Sequence, residues 1–193
     1  MSPPLVLAST SPYRAELLGR LALPFATAAP EVDETRQAGE SPEALVRRLA
    51  RAKAEAVASQ RPEAVVLGSD QCLSLDGEVL GKPGGFDVAR DQLRRVSGRR
   101  ATFLTAVCRA GPEGAESETE LVPFTVTFRT LSDEAITRYL QRDSPYDCAG
   151  SLRSEGLGVA LMAGTEGADA TALTGLPLIA TVRLLEEAGI PVL

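Results

Sequence analysis

Two cations set among apolar neighbours and an aspartate at the end of an apolar run are the residues whose type and position point to chemistry. Ala64 to Gly68 is apolar and passes directly into Ser69-Asp70-Gln71. The spacing predicts a buried strand carrying a carboxylate at its tip, where α/β proteins commonly place functional groups. Wound at about 100° per residue, a second helical segment puts Val46, Leu49, Ala50 and Val57 on one face, with Lys53 in the middle of it. Arg14 falls on the stripe of Leu17, Leu18 and Leu21, one turn nearer the N-terminus. An unpaired ammonium removed from water costs several kcal/mol. An inward Lys53 therefore needs a carboxylate or a phosphate, unless its stem packs while its head reaches water. Arg14 lies near a helix start, which already favours anions. With Asp33-Glu34 nearby in a polar segment, these groups suit metal-assisted attack on a phosphoanhydride. Carboxylates would hold a hard cation and position or deprotonate water, while the cations neutralise phosphate charge. On pattern alone, Asp33-Glu34 reads equally well as a solvated loop pair, and Lys82-Pro83 has no fixed direction.

Absences narrow the chemistry further. The chain has no histidine, which excludes Ser-His-Asp and Cys-His hydrolases and histidine-ligated zinc. A metal is therefore expected to be a hard cation on carboxylates, Mg²⁺ or Mn²⁺. Of the 20 basic residues only Lys53 and Lys82 are lysine. Compositional bias accounts for this, and so does a need for a compact ammonium at two places. A net charge of −6 does not suit a protein that coats nucleic acid or an anionic membrane, so phosphate binding must come from a local cluster. Met1 to Ala8 shows no basic segment before an apolar run, and no apolar stretch is long enough to span a bilayer. Cys72, Cys108 and Cys148 are odd in number and lack metal-ligand spacing. They read as reduced thiols in a reducing compartment, and a cytoplasmic location is expected.

These groups need elements to position them. Leu5–Ala8 reads as a short buried strand, and Ser11-Pro12 as the cap and first turn of a helix to about Leu21. Phe25–Ala29 suits a second strand, and Ser41-Pro42 opens a long helix to about Ala58. Asp76-Gly77 marks a hairpin between Cys72–Leu75 and Glu78–Leu80. Phe86–Val96 is helical and stops at Ser97-Gly98; strands are expected over Thr102–Arg109 and Glu120–Arg129, joined by a Gly/Glu/Ser loop. Ser132 caps a helix to about Arg142, Gly158–Met162 reads as a strand, and Leu176–Ala188 is the last helix before Gly189. Helices, strands and hairpins alternate without a linker or repeat, which predicts a single α/β domain over residues 1–193 with a mixed sheet.

The segment Leu7-Ala8-Ser9-Thr10-Ser11-Pro12-Tyr13-Arg14, with Leu17-Leu18, resembles the opening signature of the Maf-like nucleoside triphosphate pyrophosphatases. The likeness continues in order through Glu31-Val32-Asp33-Glu34, Ala52-Lys53-Ala54, Gly68-Ser69-Asp70-Gln71 and Leu80-Gly81-Lys82-Pro83. It extends to Leu93, Ser97-Gly98, Phe124–Arg129, Cys148-Ala149-Gly150, Ser154-Glu155-Gly156 and Gly175-Leu176-Pro177-Leu178. Each block is weak alone; the ordered set is specific. The resemblance implies an elongated α/β fold of the Maf/ITPase-like kind, with a mixed β-sheet flanked by helices around a central cleft. It also implies a divalent cation and release of pyrophosphate from a nucleotide. By motif position Asp70 would be the proton acceptor, and Ser9, Arg14, Glu34, Lys53 and Lys82 would line the phosphate and metal site. Glu34 and Asp70 are the implied metal ligands, with Asp70 able to serve as base, ligand or both. Dimerisation is implied too, with no interface legible in the sequence.

Three positions bear on the substrate. The dTTP/UTP branch of that family typically has arginine at position 13, threonine at 71 and glutamine at 155. Tyr13, Gln71 and Glu155 resemble instead the branch that splits the α–β phosphoanhydride of 7-methyl-GTP, giving 7-methyl-GMP and pyrophosphate. Methylation at N7 makes guanine cationic, and a tyrosine face attracts such a ring by about 0.5–2 kcal/mol. Glu155 can accept charge-assisted hydrogen bonds from guanine N1 and N2, a donor pair that pyrimidines lack. Gln71 would bond the base or support Asp70. Another nucleotide, or a nucleotide-binding role in regulating cell division, is the competing expectation; pure binding would not need a general base.

Overall fold

Three eleven-residue strands carry the fold, and a gap along the edge of one of them carries the site. The structure, a computed structural model, describes residues 3–112 and 115–193. Met1 and Ser2, part of the segment read for a leader, and Glu113-Gly114 of the Gly/Glu/Ser loop lie outside the described residues. In chain order the elements are β1 (Leu5–Ala8), α1 (Pro12–Gly19), β2 (Ala26–Ala28), α2 (Pro42–Ala58), β3 (Val65–Leu75), β4 (Glu78–Leu80) and α3 (Phe86–Val96). Then come β5 (Arg100–Ala110), β6 (Glu118–Phe128), α4 (Asp133–Asp143), β7 (Met162–Glu166), α5 (Thr171–Thr174) and α6 (Leu178–Glu187). The described strands form one mixed sheet in the order β2-β1-β3-β5-β6-β7, with β4 also on β3. β1 is parallel to β2 and β3, and every other pairing is antiparallel.

The edge of β3 opposite β5 is shared by two short partners. β1 pairs from Leu5↔Val65 to Ala8↔Gly68, and β4 from Leu73↔Leu80 to Leu75↔Glu78. Between them, Ser69 to Cys72 have no strand on that side among the described residues, while β5 continues to pair with them on the other. The sheet therefore splits beside Asp70. The expectation that Asp70 ends its strand is corrected here: it lies in mid-strand. β5 supplies a ladder partner at Ala106, so polar side chains at 69–71 do not terminate the strand.

Side-chain alternation along β3 assigns its neighbours. Val65 and Leu67 pack with Leu17 and Leu18 of α1 and Leu184 of α6 on one face. Val66 packs with Val57 of α2 on the other. Helices thus flank both faces, as expected for the class. A Cβ added to Gly68 would meet the Ala50 carbonyl oxygen at 2.4 Å and the Ala54 nitrogen at 2.6 Å. Only a glycine lets α2 lie this close, and that approach brings the Lys53 stem over the strand. Leu73, Leu93, Phe103, Phe128 and Leu140 form a separate core beneath the β4 end, joining α3 and α4.

The caps predicted at Ser11, Ser41 and Ser132 are present, each accepting from the backbone NH three residues on. Gly158–Met162 is not the expected strand. Leu157–Leu161 is a 3₁₀ segment and the strand begins at Met162. The Gly158 NH donates to the Arg153 carbonyl at 3.0 Å, a tight turn that the apolar run concealed. α6 starts two residues later than expected, after Pro177, with the Asp169 carboxylate accepting from the Ile179 NH at 2.8 Å. Among the described residues no helix is long and apolar enough to cross a membrane.

Candidate active site

The split in the sheet opens into a cleft of about 570 Å³, and all nine residues singled out from the sequence line it: Ser9, Tyr13, Arg14, Glu34, Lys53, Asp70, Gln71, Lys82 and Glu155. A shallower depression of about 670 Å³ lies beside Arg109, Glu116 and Glu187; it gathers none of them.

Lys53 is the centre of charge. Only 5% of it is exposed, so the snorkelling alternative fails. Its ammonium donates to Asp70 Oδ1 at 2.7 Å and stands 2.9 Å from Glu34 Oε1. α2 supplies the ammonium, the unpartnered stretch of β3 the buried aspartate, and the segment before α2 the exposed glutamate. Burial pushes the Asp70 carboxyl above its ordinary value of 3.8, and the Lys53 charge only partly reverses the rise. A carboxylate held reluctantly ionised is a better proton acceptor than an exposed one.

Arg14 is half-buried on α1, with Nε donating to the Gly175 carbonyl at 2.8 Å. Ser69 Oγ donates to the same oxygen at 2.9 Å, so strand, helix and the turn after α5 share one anchor. Burial lowers the Arg14 pKa, and the charges of Asp70 and Glu34, which line the same cleft, only partly offset the drop. Ser9 follows β1 directly; its Oγ accepts from the Ser11 NH at 3.1 Å and shapes the turn into α1. Lys82 is exposed and makes no ion pair among the described residues. Its neighbour Gly81 is pinned through its carbonyl by Gln92 Nε2 and the Gly150 NH, each at 3.1 Å.

Gln71 has a definite role. Its Nε2 donates to the Ala172 carbonyl at 2.7 Å and the Leu173 carbonyl at 3.1 Å. The amide ties α5 to β3 and does not support Asp70; only its Oε1 remains for a ligand. Tyr13 and Glu155 stand at the other end of the cleft. Glu155 is exposed, with Oε2 accepting from Ser154 Oγ at 3.0 Å. Tyr13 already has a cation at its ring: the Arg153 guanidinium lies 6.0 Å from the ring centre. Arg153 and Asp147 were not singled out from the sequence, and Cys148 was read as a reduced thiol and a motif residue, not as part of the site. The block Cys148-Ala149-Gly150 was the available signal, and its glycine has a physical reason. Gly150 has φ +62°, and a Cβ there would meet Leu73 Cδ2 at 2.2 Å.

Among the described residues no group of three Asp, Glu or Cys side chains converges as a cation cage. Glu34 and Asp70 share Lys53, and two carboxylates suit Mg²⁺ or Mn²⁺ held jointly with phosphate oxygens and water. They do not suit a cation held by protein alone.

With the geometry in hand, the comparisons with known proteins are specific. The family described as Maf-like protein matches residues 4–188. The chain is 53% identical over 190 residues to a protein of Pseudomonas syringae pv. tomato named 7-methyl-GTP pyrophosphatase, covering 98% of this chain and 99% of that one. It is 52% identical over 191 residues to a Nitrosococcus oceani protein of the same name, covering 99% and 96%. Among solved structures, the Staphylococcus aureus Ham1 protein aligns with a TM-score of 0.45 and 21% identity, over 67% of this chain and 72% of that one.

Proposed function

Because the chain belongs to the Maf-like family, we propose that it is a nucleoside triphosphate pyrophosphatase, with 7-methyl-GTP as substrate and 7-methyl-GMP and pyrophosphate as products. The observation that carries the reading is the buried Lys53 ammonium held between Asp70 and Glu34, in the cleft that also holds Tyr13 and Glu155.

In this reading Asp70 accepts the proton of the water that attacks the α-phosphorus, and the α–β anhydride bond breaks to release pyrophosphate. Lys53 holds Asp70 in place, and Arg14 and Lys82 offset the charge of the phosphates, with Ser9 beside them. Glu34 and Asp70 would hold a divalent cation, Mg²⁺ or Mn²⁺, which would supply further neutralisation of phosphate charge. Tyr13 stacks on the base and Glu155 accepts from guanine N1 and N2. The names of relatives about half identical over nearly the full chain support this substrate.

The test is pyrophosphate release from 7-methyl-GTP, GTP, dTTP, UTP and CTP with Mg²⁺ or Mn²⁺, with Asp70→Asn as control. Preference for 7-methyl-GTP, abolished in the control, is the expected result. Preference for dTTP or UTP overturns the substrate. Binding without turnover overturns the enzyme in favour of a nucleotide-binding regulator.

A further inference from the structure

A carboxylate with no part in the phosphate chemistry lies at the base end of the cleft. Asp147 lines the cleft with Tyr13 and Glu155, and its side chain is 59% exposed. Both of its side-chain contacts fall on Oδ1: Arg153 Nη2 at 3.4 Å and the Cys148 thiol at 3.5 Å. Burial, followed by the Asp147 charge, pushes that thiol up to about 11, so it stays protonated and can donate. Oδ2 has no partner among the described residues. Arg153 is held from its other side, donating through Nη1 to the Asp143 carbonyl at 2.7 Å and Asp143 Oδ1 at 3.4 Å. The same guanidinium faces the Tyr13 ring. One cation thus fixes Asp147 relative to the aromatic surface on which a base would stack.

The charge balance of this end is unusual for a nucleotide site. Asp147 and Glu155 both line the cleft, and the Arg153 guanidinium that contacts Asp147 is shared with Asp143. A neutral purine gains nothing from the second carboxylate, because its own N7 is an acceptor and two acceptors repel. A purine alkylated at N7 carries a fixed positive charge and no N7 lone pair, so the same carboxylate attracts it. We propose that Asp147 is a specificity-determining residue that reads the positive charge of an N7-alkylated purine, and that Arg153 positions it. The proposal rests on the nucleotide reading above and adds a charge sensor separate from the Glu155 hydrogen bonds.

The decisive probes are 7-methyl-GTP and 7-deaza-7-methyl-GTP, which keeps the shape and loses the charge. Wild type is expected to favour the charged nucleotide in kcat/KM, with the preference shrinking as salt rises. Asp147→Asn should reduce that preference by about five- to tenfold, through KM rather than kcat, and leave the neutral isostere unaffected. Arg153→Lys should reduce it in the same direction. An unchanged preference in Asp147→Asn overturns the proposal. So does a wild-type preference that ignores salt, which needs no variant to fold. If wild type releases pyrophosphate from neither probe, the reaction reading fails instead. Equilibrium binding of the same two nucleotides to wild type and Asp147→Asn then decides the role of Asp147 alone.

Discussion

Lys53 Nζ lies 2.7 Å from Asp70 Oδ1 with both side chains buried, an ion pair that joins the middle of α2 to the stretch of β3 that no described strand partners on its open edge. The pair does not hold Asp70 below its ordinary value; desolvation outweighs attraction and raises it above 3.8. The folded chain therefore binds this proton more tightly than the unfolded one. The associated stability is fully present below 3.8 and is lost as pH rises through that value to the raised one. Relative to Asp70→Asn, wild type should lose melting temperature across that window. The acid limb of kcat/KM should lie above the ordinary carboxylate range, and Asp70→Asn should lower kcat/KM at least about 100-fold. Thermal melts and rate profiles of both proteins against pH check this; a flat difference between the melts would remove desolvation as the dominant influence.

Gly68 sets how closely α2 approaches β3. Ala at this position would drive a methyl into the Ala50 carbonyl and Ala54 nitrogen, which are backbone atoms and cannot swing aside. Gly68→Ala should cost about 1–3 kcal/mol, and activity should fall further than the lost stability explains, because α2 carries Lys53. Gly164→Ala is the control, since a Cβ there meets nothing within 4 Å. Urea denaturation and kcat/KM well below the melting transition separate the two effects. Equal behaviour of both variants would mean that the helix-to-strand distance does not govern the site.

What the sequence disclosed follows from the range of the interactions. Lys53 and Arg14 were legible as inward cations because helical periodicity is local. The cap residues Ser11, Ser41 and Ser132 are local for the same reason. The continuity of β3 was not legible, because it depends on β5, whose Ala106 pairs with Asp70. Nor was the Arg14 anchor at Gly175, 161 residues away. The family motifs named nine residues, all of which line the cleft, yet they carried no sign that Arg153 would meet the Tyr13 ring. That contact is set by the turn at Gly156–Gly158 and by Asp143 on α4.

Gln71 lines the cleft, yet its amide nitrogen is spent on α5. Removing it in Gln71→Ala strips donors from the Ala172 and Leu173 carbonyls, though Thr105 still donates to Ala172 at 2.8 Å. The expected cost is about 1–3 kcal/mol. kcat/KM should fall alike for 7-methyl-GTP, GTP and UTP, because α5 and the Gly175 turn shape the whole cleft. A change in the ratio between nucleotides, with stability intact, would make Gln71 a reader of the base through its Oε1.

Tyr13 and Glu155 are expected to act on the base and not on the phosphates. The Arg153 guanidinium already sits at the Tyr13 ring, so a cationic purine must use the face that remains. Tyr13→Phe preserves that face and should be near neutral. Tyr13→Ala should lower kcat/KM for 7-methyl-GTP by about 2- to 30-fold, the equivalent of roughly 0.5–2 kcal/mol of cation–π attraction. Glu155→Gln keeps the shape and exchanges charge-assisted hydrogen bonds for neutral ones. It should reduce the preference for 7-methyl-GTP over UTP by about fivefold to tenfold, with Asp147 supplying the remainder. Competition assays with both nucleotides in one reaction read this ratio directly. If the ratio is unchanged in Glu155→Gln but collapses in Asp147→Asn, charge and not the N1 and N2 donor pair selects the base. If it is unchanged in both, the aromatic surface of Tyr13 is the feature left to explain the selectivity, and Tyr13→Ala should then abolish it.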